Sequence, residues 1–274
     1  TLDPIATGVL PLLLGPATRL QQFYRARRKR YEGRMRFGFA TDTYDADGHA
    51  LGEDTAPTLT REQLEPHLRA LTGKIEQTPP PYSAKKVAGV AAHERARRRE
   101  KFTLKPISVE VYRFEISRVE GSLADFTIEC SSGTYIRSLA HDLGKSVSAG
   151  AHLVEICRTA SGEFTLRQAV TLEELERVVQ EEGLPQVLIP MSELLPDLPQ
   201  VVINAGLERR IRHGGRIELG ESQIQPGEVG EPIDSEAWKP FRLRVYNQQR
   251  QLVAIAQAIV PRVFRPIVVL PALA

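Results

Sequence analysis

Alternation of apolar and polar residues with a period of two is the feature that most constrains how this chain folds. Its clearest instance places one set of residues on the inner face of a predicted strand: Tyr31, Gly33, Met35, Phe37 and Phe39. Side chains of a strand point alternately to its two faces, so the pattern predicts a half-buried strand. Residues 107–116 and 126–130 alternate in the same way, and the phase slips at Tyr112, as a β-bulge would cause.

Segments with helical spacing lie between and after these strands. A capping box, Thr60 to Gln63, opens one predicted helix over residues 60–71, and a second box opens another over residues 171–182. Apolar residues at helical spacing predict a further helix: Ile136, Leu139, Ala140 and Leu143. Prolines then mark a linker, after which the sequence predicts a short helix, residues 205–213, and several strands.

The charged residues are clustered, although the net charge is only +2. They include two basic runs: Arg25, Arg27, Arg28, Lys29 and Arg30, and then Arg95, Arg97, Arg98, Arg99 and Lys101. Such runs suit contacts with phosphates, but they are more often solvated faces, so both interpretations stay open. No stretch is long enough to span a membrane and no secretory signal is visible. Two cysteines are too few for a disulfide framework or a Cys-based zinc site, so we predict reduced thiols in a cytosolic protein.

The chain opens with the segment Thr1–Gly8, in which Asp3 precedes a proline. Pro4 favours an extended backbone at Asp3 and prevents a helical continuation. A carboxylate held in this way can project from a loop into a cleft. An Asp-Pro pair is also a common start of a turn, and this segment taken alone favours the turn.

An acidic loop, Thr41–Gly48, partly matches the pattern of a calcium-binding loop. Its first ligand position holds a Thr rather than an Asp, and Asp54 stands where a Glu is expected. No flanking helices are evident either. We therefore predict that no metal binds at this loop.

Several segments, in the same order along the chain, resemble the TruB family of RNA pseudouridine synthases: Thr1–Arg19, Thr41–Gly48, Gln77–Lys86, Gly133–Arg137 and Gly150–Phe164. The resemblance covers nearly the whole chain. In the family, the motif around the catalytic Asp is preceded by a His and a Gly, after an upstream segment. We therefore interpret this chain as N-terminally truncated, without the His that serves the family as a wedge for base flipping.

The resemblance implies a catalytic role for three residues. Asp3 corresponds to the family's catalytic Asp, and Arg137 corresponds to the Arg that pairs with it and keeps it charged and oriented. Tyr31, which ends the triplet Lys29-Arg30-Tyr31, corresponds to a Tyr that lies against the target base, although by itself it suggests a core aromatic. The same correspondence implies substrate-binding or site-lining roles for further residues: Tyr135, Ile156, Asp45, Lys29 and Arg30.

The resemblance also implies the fold and its division. The expected class is α+β, with a large mixed, mainly antiparallel sheet, peripheral helices and a small C-terminal PUA-like β module. We predict a catalytic domain over residues 1–198 and a PUA-like RNA-binding domain over residues 199–274. Within the catalytic domain, an insertion at about residues 82–102 is expected to close over RNA.

The function that the resemblance implies is conversion of uridine 55 in the T loop of tRNA to pseudouridine. This isomerisation involves no redox change and no energy input, so we expect no cofactor and no metal. We expect the tRNA T arm as partner, a monomer without an obligatory protein partner or a membrane, and a cytoplasmic location. Two alternatives stay open: an RNA-guided synthase of the archaeal and eukaryotic ribonucleoprotein type, and a tRNA-binding or tRNA-folding module without catalysis. The Thr41–Gly48 segment is a bacterial-type feature that argues against the first.

Overall fold

The alternating stretches of the sequence form strands that separate into different sheets. The computed structural model describes residues 2–181, 183–227 and 241–271. Its strands are β1 Ala6–Gly8, β2 Lys29–Phe37, β3 Ala40–Thr41, β4 Ala50–Leu51, β5 Gly73–Gln77, β6 Lys86–Val87, β7 Val90–Ala91, β8 Ile107–Glu120, β9 Leu123–Cys130, β10 Ala151–Ser161, β11 Phe164–Thr165, β12 Gln200–Val202, β13 Ile217–Glu218, β14 Arg242–Tyr246, β15 Leu252–Val260 and β16 Val263–Val269. Its α-helices are α1 Gln21–Arg25, α2 Arg61–Ala70, α3 Ala92–Arg97, α4 Ile136–Ser146, α5 Leu172–Gln180, α6 Leu184–Val187 and α7 Ala205–Arg212. Short 3-10 helices are Gly15–Leu20, Leu166–Gln168, Met191–Glu193 and Glu221–Gln223.

The chain divides into two compact units, each made of two separate segments. The first unit comprises Thr1–Leu10 and Arg28–Ser161, and the second comprises Pro11–Arg27 and Gly162–Ala274. The compact units thus group residues differently from a single cut at residue 198. The functional boundary predicted there stays a prediction.

Buried polar contacts show why the early segment belongs to the second unit. The Tyr24 hydroxyl donates to Glu163 Oε1 at 2.7 Å, and Arg27 Nη2 donates to Asp197 Oδ1 at 2.6 Å. Both Arg27 and Asp197 side chains are at most 10% exposed. Breaking such contacts would leave polar groups buried without partners, so they hold residues 11–27 to the later part of the unit.

The sheet of the first unit is mixed and mainly antiparallel, as predicted. Its strands are hydrogen-bonded in the order β1-β10-β2-β9-β8-β5. The β1–β10 pair is parallel, and the other pairs are antiparallel. The register between β8 and β9 shifts between Val111 and Arg113, which confirms the bulge expected at Tyr112.

Helices α2 and α4 cover one face of this sheet, and the hydrophobic core lies between the two helices and the sheet. The capping box of Thr60 and Gln63 is present, as predicted. Leu64 and Leu68 of α2 and Leu139 and Leu143 of α4 are buried in the same cluster as the inner face of β2. The burial of α4 fixes the helix whose first turn carries Arg137, a predicted site residue.

The second unit holds a smaller sheet in the order β12-β14-β15-β16-β13. The β12–β14 pair is parallel, and the remaining pairs are antiparallel. Helix α7 begins at an Asn204 cap, whose side chain accepts from the Leu207 amide at 3.0 Å. The predicted C-terminal β module with one short helix is therefore confirmed.

Some sequence predictions fall on residues outside the described ranges. These residues are Thr1 of the opening motif, Glu182 at the end of the helix predicted over 171–182, and residues 228–240 and 272–274 of the C-terminal module. Among the helices that the structure does describe, none is long and apolar enough to cross a membrane.

Candidate active site

The segment that follows Asp3 is fixed by a short parallel pairing of β1 with β10. The Val9 amide donates to the Arg158 carbonyl at 2.8 Å, and Arg158 Nε donates back to the Val9 carbonyl at 2.7 Å. Gly8 lies opposite Arg158 with a φ of +100°, and a Cβ on Gly8 would lie 2.3 Å from the Arg158 carbonyl oxygen. The close approach therefore depends on glycine, and it holds the Asp3 loop against β10.

Arg137 lies in the first turn of α4 and contacts the Asp3 carboxylate directly. Its Nε donates to Asp3 Oδ2 at 2.8 Å. The Arg137 side chain is only 6% exposed, whereas that of Asp3 is 40% exposed. The pair thus combines a buried guanidinium with a carboxylate that a substrate can still reach. The planar N–H groups of arginine also set the direction of the carboxylate that they bind.

The other two guanidinium nitrogens of Arg137 also donate hydrogen bonds. Nη1 donates to the Thr43 carbonyl at 3.0 Å and to Asp45 Oδ2 at 3.1 Å, and Nη2 donates to the Tyr82 carbonyl at 3.1 Å. Each guanidinium nitrogen therefore has a partner. The side chain of Arg137 is held in one plane, and its Nε points at Asp3.

Asp45 is the buried member of this network. Its Oδ1 accepts from the Thr43 hydroxyl at 2.5 Å and from the Asp47 amide at 3.2 Å, while Oδ2 is bound by Arg137. Both carboxylate oxygens are thus used within the protein.

Across residues 2–181, 183–227 and 241–271, no group of three or more His, Cys, Asp or Glu side chains is arranged to hold a metal ion.

The start of α4 is capped by a side chain from another element. Tyr135, the residue before the helix, has an extended backbone and makes no side-chain cap of its own. Its amide donates to Gln77 Oε1 at 2.8 Å, and Gln77 Nε2 donates to the Tyr135 carbonyl at 3.0 Å. Ser138 also donates to the Thr78 carbonyl at 2.8 Å. These bonds join the end of β5 to the turn that carries Arg137.

Tyr31 lies on the inner face of β2, opposite Arg158 of β10 and Ile128 of β9. Burial raises the pKa of Tyr31 to about 12; the charge of Asp3 also raises it, whereas the charge of Arg158 and its hydrogen bond to the phenol lower it. Tyr31 is therefore a neutral phenol at physiological pH. The effect of Asp3 shows that the phenol lies within electrostatic range of the carboxylate.

The other predicted site residues differ in their placement. Ile156 is buried in the core, opposite Ala6 of β1, and Tyr135 is partly buried at the start of α4. Lys29 shares the inner face of β2 with Tyr31, whereas Arg30 lies on the opposite face, 3.9 Å from Glu32. The structure therefore brings Asp3, Asp45 and Arg137 into direct contact and places Tyr31 within electrostatic range of Asp3, and it does not bring Arg30 to them. Contact of Lys29 and Arg30 with RNA stays a prediction.

The two basic runs have different surroundings. In the first run, the Arg28 guanidinium lies over the Tyr112 ring at 3.7 Å and 3.3 Å from Glu129. In the second run, Arg95 pairs with Glu100 at 2.8 Å. The exposed residues of that run lie at the end of α3 and just beyond it: Arg97, Arg98, Arg99 and Lys101. The second run is therefore the more exposed positive surface.

Sequence reasoning did not single out Gln77, Thr43 or Arg158. Thr43 acts partly through a backbone carbonyl, which every residue type has, so no side-chain pattern could signal it. Gln77 is the last residue of a strand just before a run of prolines. A polar side chain at the end of a strand was the signal that could have identified it.

The chemistry open to this site follows from its groups. A carboxylate can act as a nucleophile or as a base, and an aromatic ring beside it can stack on a planar base. The exposed arginines at and just beyond the end of α3, Arg97, Arg98 and Arg99, suit contacts with a phosphate backbone. The site therefore favours an enzyme that acts on a base of a nucleic acid.

Comparison with known proteins agrees with that class. Residues 1–136 match the family profile "TruB family pseudouridylate synthase (N terminal domain)", and residues 137–196 match "tRNA pseudouridylate synthase B C-terminal domain". A protein named tRNA pseudouridine synthase B from Solibacter usitatus is 42% identical over 98% of this chain and 88% of its own length. A protein of the same name from Stutzerimonas stutzeri is 40% identical over 94% of this chain and 80% of its own. The chain belongs to the TruB family of pseudouridine synthases, which are isomerases.

Solved structures of low sequence identity share the fold. A Cbf5-Nop10-Gar1 complex contains a chain with a TM-score of 0.67 and 24% identity, over 95% of this chain and 69% of that one. A structure of an H/ACA RNP bound to a substrate RNA containing 2′-deoxyuridine gives a TM-score of 0.69 and 22% identity, over 99% and 74% respectively. The predicted pseudouridine synthase fold is thereby confirmed.

Proposed function

We propose that this protein converts uridine 55 in the T loop of tRNA to pseudouridine, with Asp3 as the catalytic carboxylate. The observation that carries the proposal is the 2.8 Å contact from Arg137 Nε to Asp3 Oδ2, within electrostatic range of the Tyr31 phenol. The names of the relatives from Solibacter usitatus and Stutzerimonas stutzeri support tRNA as the substrate.

The reaction breaks the C1′–N1 bond of the uridine and forms a C1′–C5 bond. C5 loses its proton and N1 gains one, so electrons and atoms balance within the nucleotide. Asp3 can begin this sequence in three ways: by adding to C6 of the base, by adding to C1′ of the ribose, or by removing a ribose proton. Each route needs a carboxylate oxygen in a defined direction, and Arg137 supplies that direction.

Tyr31 has a different role in this proposal. Its ring stacks on the uracil, and its hydroxyl lies near the proton that leaves C5. Because burial raises the pKa of Tyr31 to about 12, the hydroxyl acts as a neutral hydrogen-bonding group and not as a preformed phenolate. Arg158 lies opposite Tyr31 on β10 and its charge lowers the pKa of the phenol, so it favours a fixed place for the hydroxyl.

The uridine has to leave its stack before Asp3 can reach it. Flipping a base costs a few kcal/mol, and contacts with the backbone offset that cost. We propose that the insertion at about residues 82–102 supplies such contacts through Arg97, Arg98 and Arg99, which are exposed. Residues 199–274 would bind RNA as a PUA-like domain beyond a catalytic domain of residues 1–198.

The test uses unmodified tRNA transcript and an isolated T-arm hairpin, without any guide RNA or partner protein. Pseudouridine is located by carbodiimide labelling and primer extension. The expected result is pseudouridine at position 55 in both RNAs with the wild type, and none with Asp3→Asn. Asp3→Asn should still bind tRNA within a few-fold of the wild-type affinity.

Other outcomes would favour the alternatives. Activity only when a guide RNA and partner proteins are added would identify an RNA-guided enzyme. If the wild type makes no pseudouridine but improves tRNA refolding, and Asp3→Asn improves it as well, the protein is a non-catalytic module. Wild-type rates in Asp3→Asn would remove Asp3 from the mechanism.

We further propose that the enzyme works as a monomer in the cytoplasm. The free thiols of Cys130 and Cys157 fit a reducing compartment. Sedimentation of the active protein tests the first point, and a dimer mass at assay concentrations would contradict it. Cell fractionation tests the second, and recovery of the protein outside the cytoplasmic fraction would contradict it.

A further inference from the structure

Tyr44 stands between two residues that contact Arg137, and its backbone is in an unfavourable conformation. Its φ is 66°, a region that residues with a Cβ rarely occupy. On one side, the Thr43 carbonyl accepts from Arg137, and on the other the Asp45 carboxylate does so. Something must therefore hold Tyr44 in a conformation from which an unsupported chain would relax.

Two contacts give such support: the Leu153 amide of β10 donates to the Tyr44 carbonyl at 3.0 Å, and the Tyr44 ring packs on helix α4. The ring stacks on the imidazole of His141, with ring centroids 3.8 Å apart and an angle of 12° between the planes. His141 follows Arg137 by four positions, so both side chains lie on the same face of the helix. That face thus holds three consecutive residues of the loop: Thr43, Tyr44 and Asp45.

His141 contacts the loop through the face of its imidazole. Its buried Nδ1 has no hydrogen-bond partner within the part of the chain that the structure describes. Burial, together with the charge of Lys145, lowers the pKa of His141, so the ring is neutral at physiological pH. A neutral ring of similar shape, such as that of Phe, should therefore serve in its place.

We propose that Tyr44 and His141 are positioning residues for the catalytic pair. Their stack holds the loop at residues 43–45 against α4, so that Thr43 and Asp45 fix the plane of the Arg137 guanidinium, and Arg137 fixes the direction of Asp3. Loss of the stack would let the backbone at Tyr44 relax and would move two of the four acceptors of Arg137. This inference rests on the proposed function for its effect on rate, but its effect on the loop does not depend on that function.

The first experiment measures the loop without using activity. Amide hydrogen exchange is followed in the full chain for residues 44–48, where the Tyr44, Asp47 and Gly48 amides are hydrogen-bonded within the loop. His141→Ala and Tyr44→Ala should speed this exchange at least tenfold, and His141→Phe and Tyr44→Phe should leave it within about twofold. Unchanged exchange in both alanine variants would overturn the proposal, whatever the activity of the protein.

The matched control is Leu143→Val, on the same helix but buried in the core. It lowers the melting temperature by loosening α4 without touching the stack, so it should leave exchange at residues 44–48 unchanged. If Leu143→Val speeds that exchange as much as His141→Ala does, the loop responds to general loss of stability, and the proposal fails.

The second experiment measures single-turnover pseudouridine formation at saturating tRNA. His141→Ala should slow the reaction about tenfold with tRNA affinity changed less than twofold, and His141→Phe should restore the rate. In an Arg137→Lys background, His141→Ala should slow the reaction by less than twofold, because the guanidinium that the stack positions is gone. A full tenfold loss in that background would show that the stack acts by another route and would overturn the proposal.

Failure of the proposed function gives a different result from failure of this inference. If the wild type makes no pseudouridine but His141→Ala still frees the loop, the function is wrong and the positioning of Arg137 stands. If the wild type is active and His141→Ala reacts at the wild-type rate, the positioning role is wrong and the function stands.

Discussion

Replacement of Arg137 by Lys tests whether direction, and not charge alone, makes the Asp3 carboxylate competent. The guanidinium binds Asp3, Thr43, Asp45 and Tyr82 from three nitrogens. An ammonium group is a single point on a flexible stem, so it cannot reach all four acceptors at once. Arg137→Lys therefore keeps a cation near Asp3 and loses the plane that sets its direction.

The expected magnitude follows from this geometry. A reacting group displaced by about 1 Å costs on the order of a hundredfold in rate, which is about 2.7 kcal/mol of activation free energy. Arg137→Ala should be slower still. It should also destabilise the fold by about 3–5 kcal/mol, because Asp45 would be left as a buried charge without its cation. Asp3 adds little to that loss, because its side chain is 40% exposed and water can replace the arginine.

The assay is single-turnover pseudouridine formation at several tRNA concentrations, with tRNA binding measured separately. We expect the rate at saturation to fall about a hundredfold in Arg137→Lys, with less than a threefold change in affinity. The control is Arg34→Lys, which removes another two-pronged contact: Arg34 binds Asp125 at 2.6 and 3.2 Å, on the face of β2 opposite Tyr31. Arg34→Lys should keep the wild-type rate.

One result would refute the reasoning. If Arg137→Lys and Arg137→Ala bind tRNA more weakly but react at the wild-type rate once saturated, Arg137 is a phosphate contact. The Asp3–Arg137 contact would then have no role in the chemical step.

Three further predictions follow from the structure, two for Tyr31 and one for Gly8. Tyr31→Phe should slow the reaction by about a hundredfold. The factor should be the same at every pH from 6 to 9, because burial raises the pKa of Tyr31 to about 12 and the phenol stays protonated throughout this range. A factor that changes with pH between 6 and 9 would show that a phenolate takes part. The raised pKa favours the protonated form in the folded state, so the stability that this phenol contributes should be complete below about pH 10 and decline as the pH rises towards 12 in denaturation experiments. Gly8→Ala should lower stability by about 1–3 kcal/mol and slow the reaction at least tenfold, because its Cβ would lie 2.3 Å from the Arg158 carbonyl oxygen. The control is Gly52→Ala, because Gly52 has a similar φ of +105° but no atom lies within 4 Å of the added Cβ. Equal rate losses in the two variants would show that backbone strain, and not the close approach to Arg158, causes the loss at Gly8.

Local pattern was enough to predict most elements of the fold. The alternation around Met35 and Phe37 predicted β2, and the box of Thr60 and Gln63 predicted the start of α2, because strand faces and helix caps depend on neighbours within four residues. The phase slip at Tyr112 likewise predicted the bulge in β8. Assignment of residues 11–27 to the second unit could not be predicted, because it depends on contacts with residues far along the chain, such as Tyr24 with Glu163.

The same division applies to the site. The motifs around Asp3, Tyr31 and Arg137 were enough to predict that Arg137 contacts Asp3, and the catalytic roles of the three residues stay predictions. The sequence could not predict that Gln77 caps α4, that the Thr43 and Tyr82 carbonyls hold the guanidinium, or that Arg30 lies away from the site. The sequence specifies the chemistry of each side chain directly. The direction of a backbone carbonyl and the partner of a buried amide are determined only when distant segments have packed together.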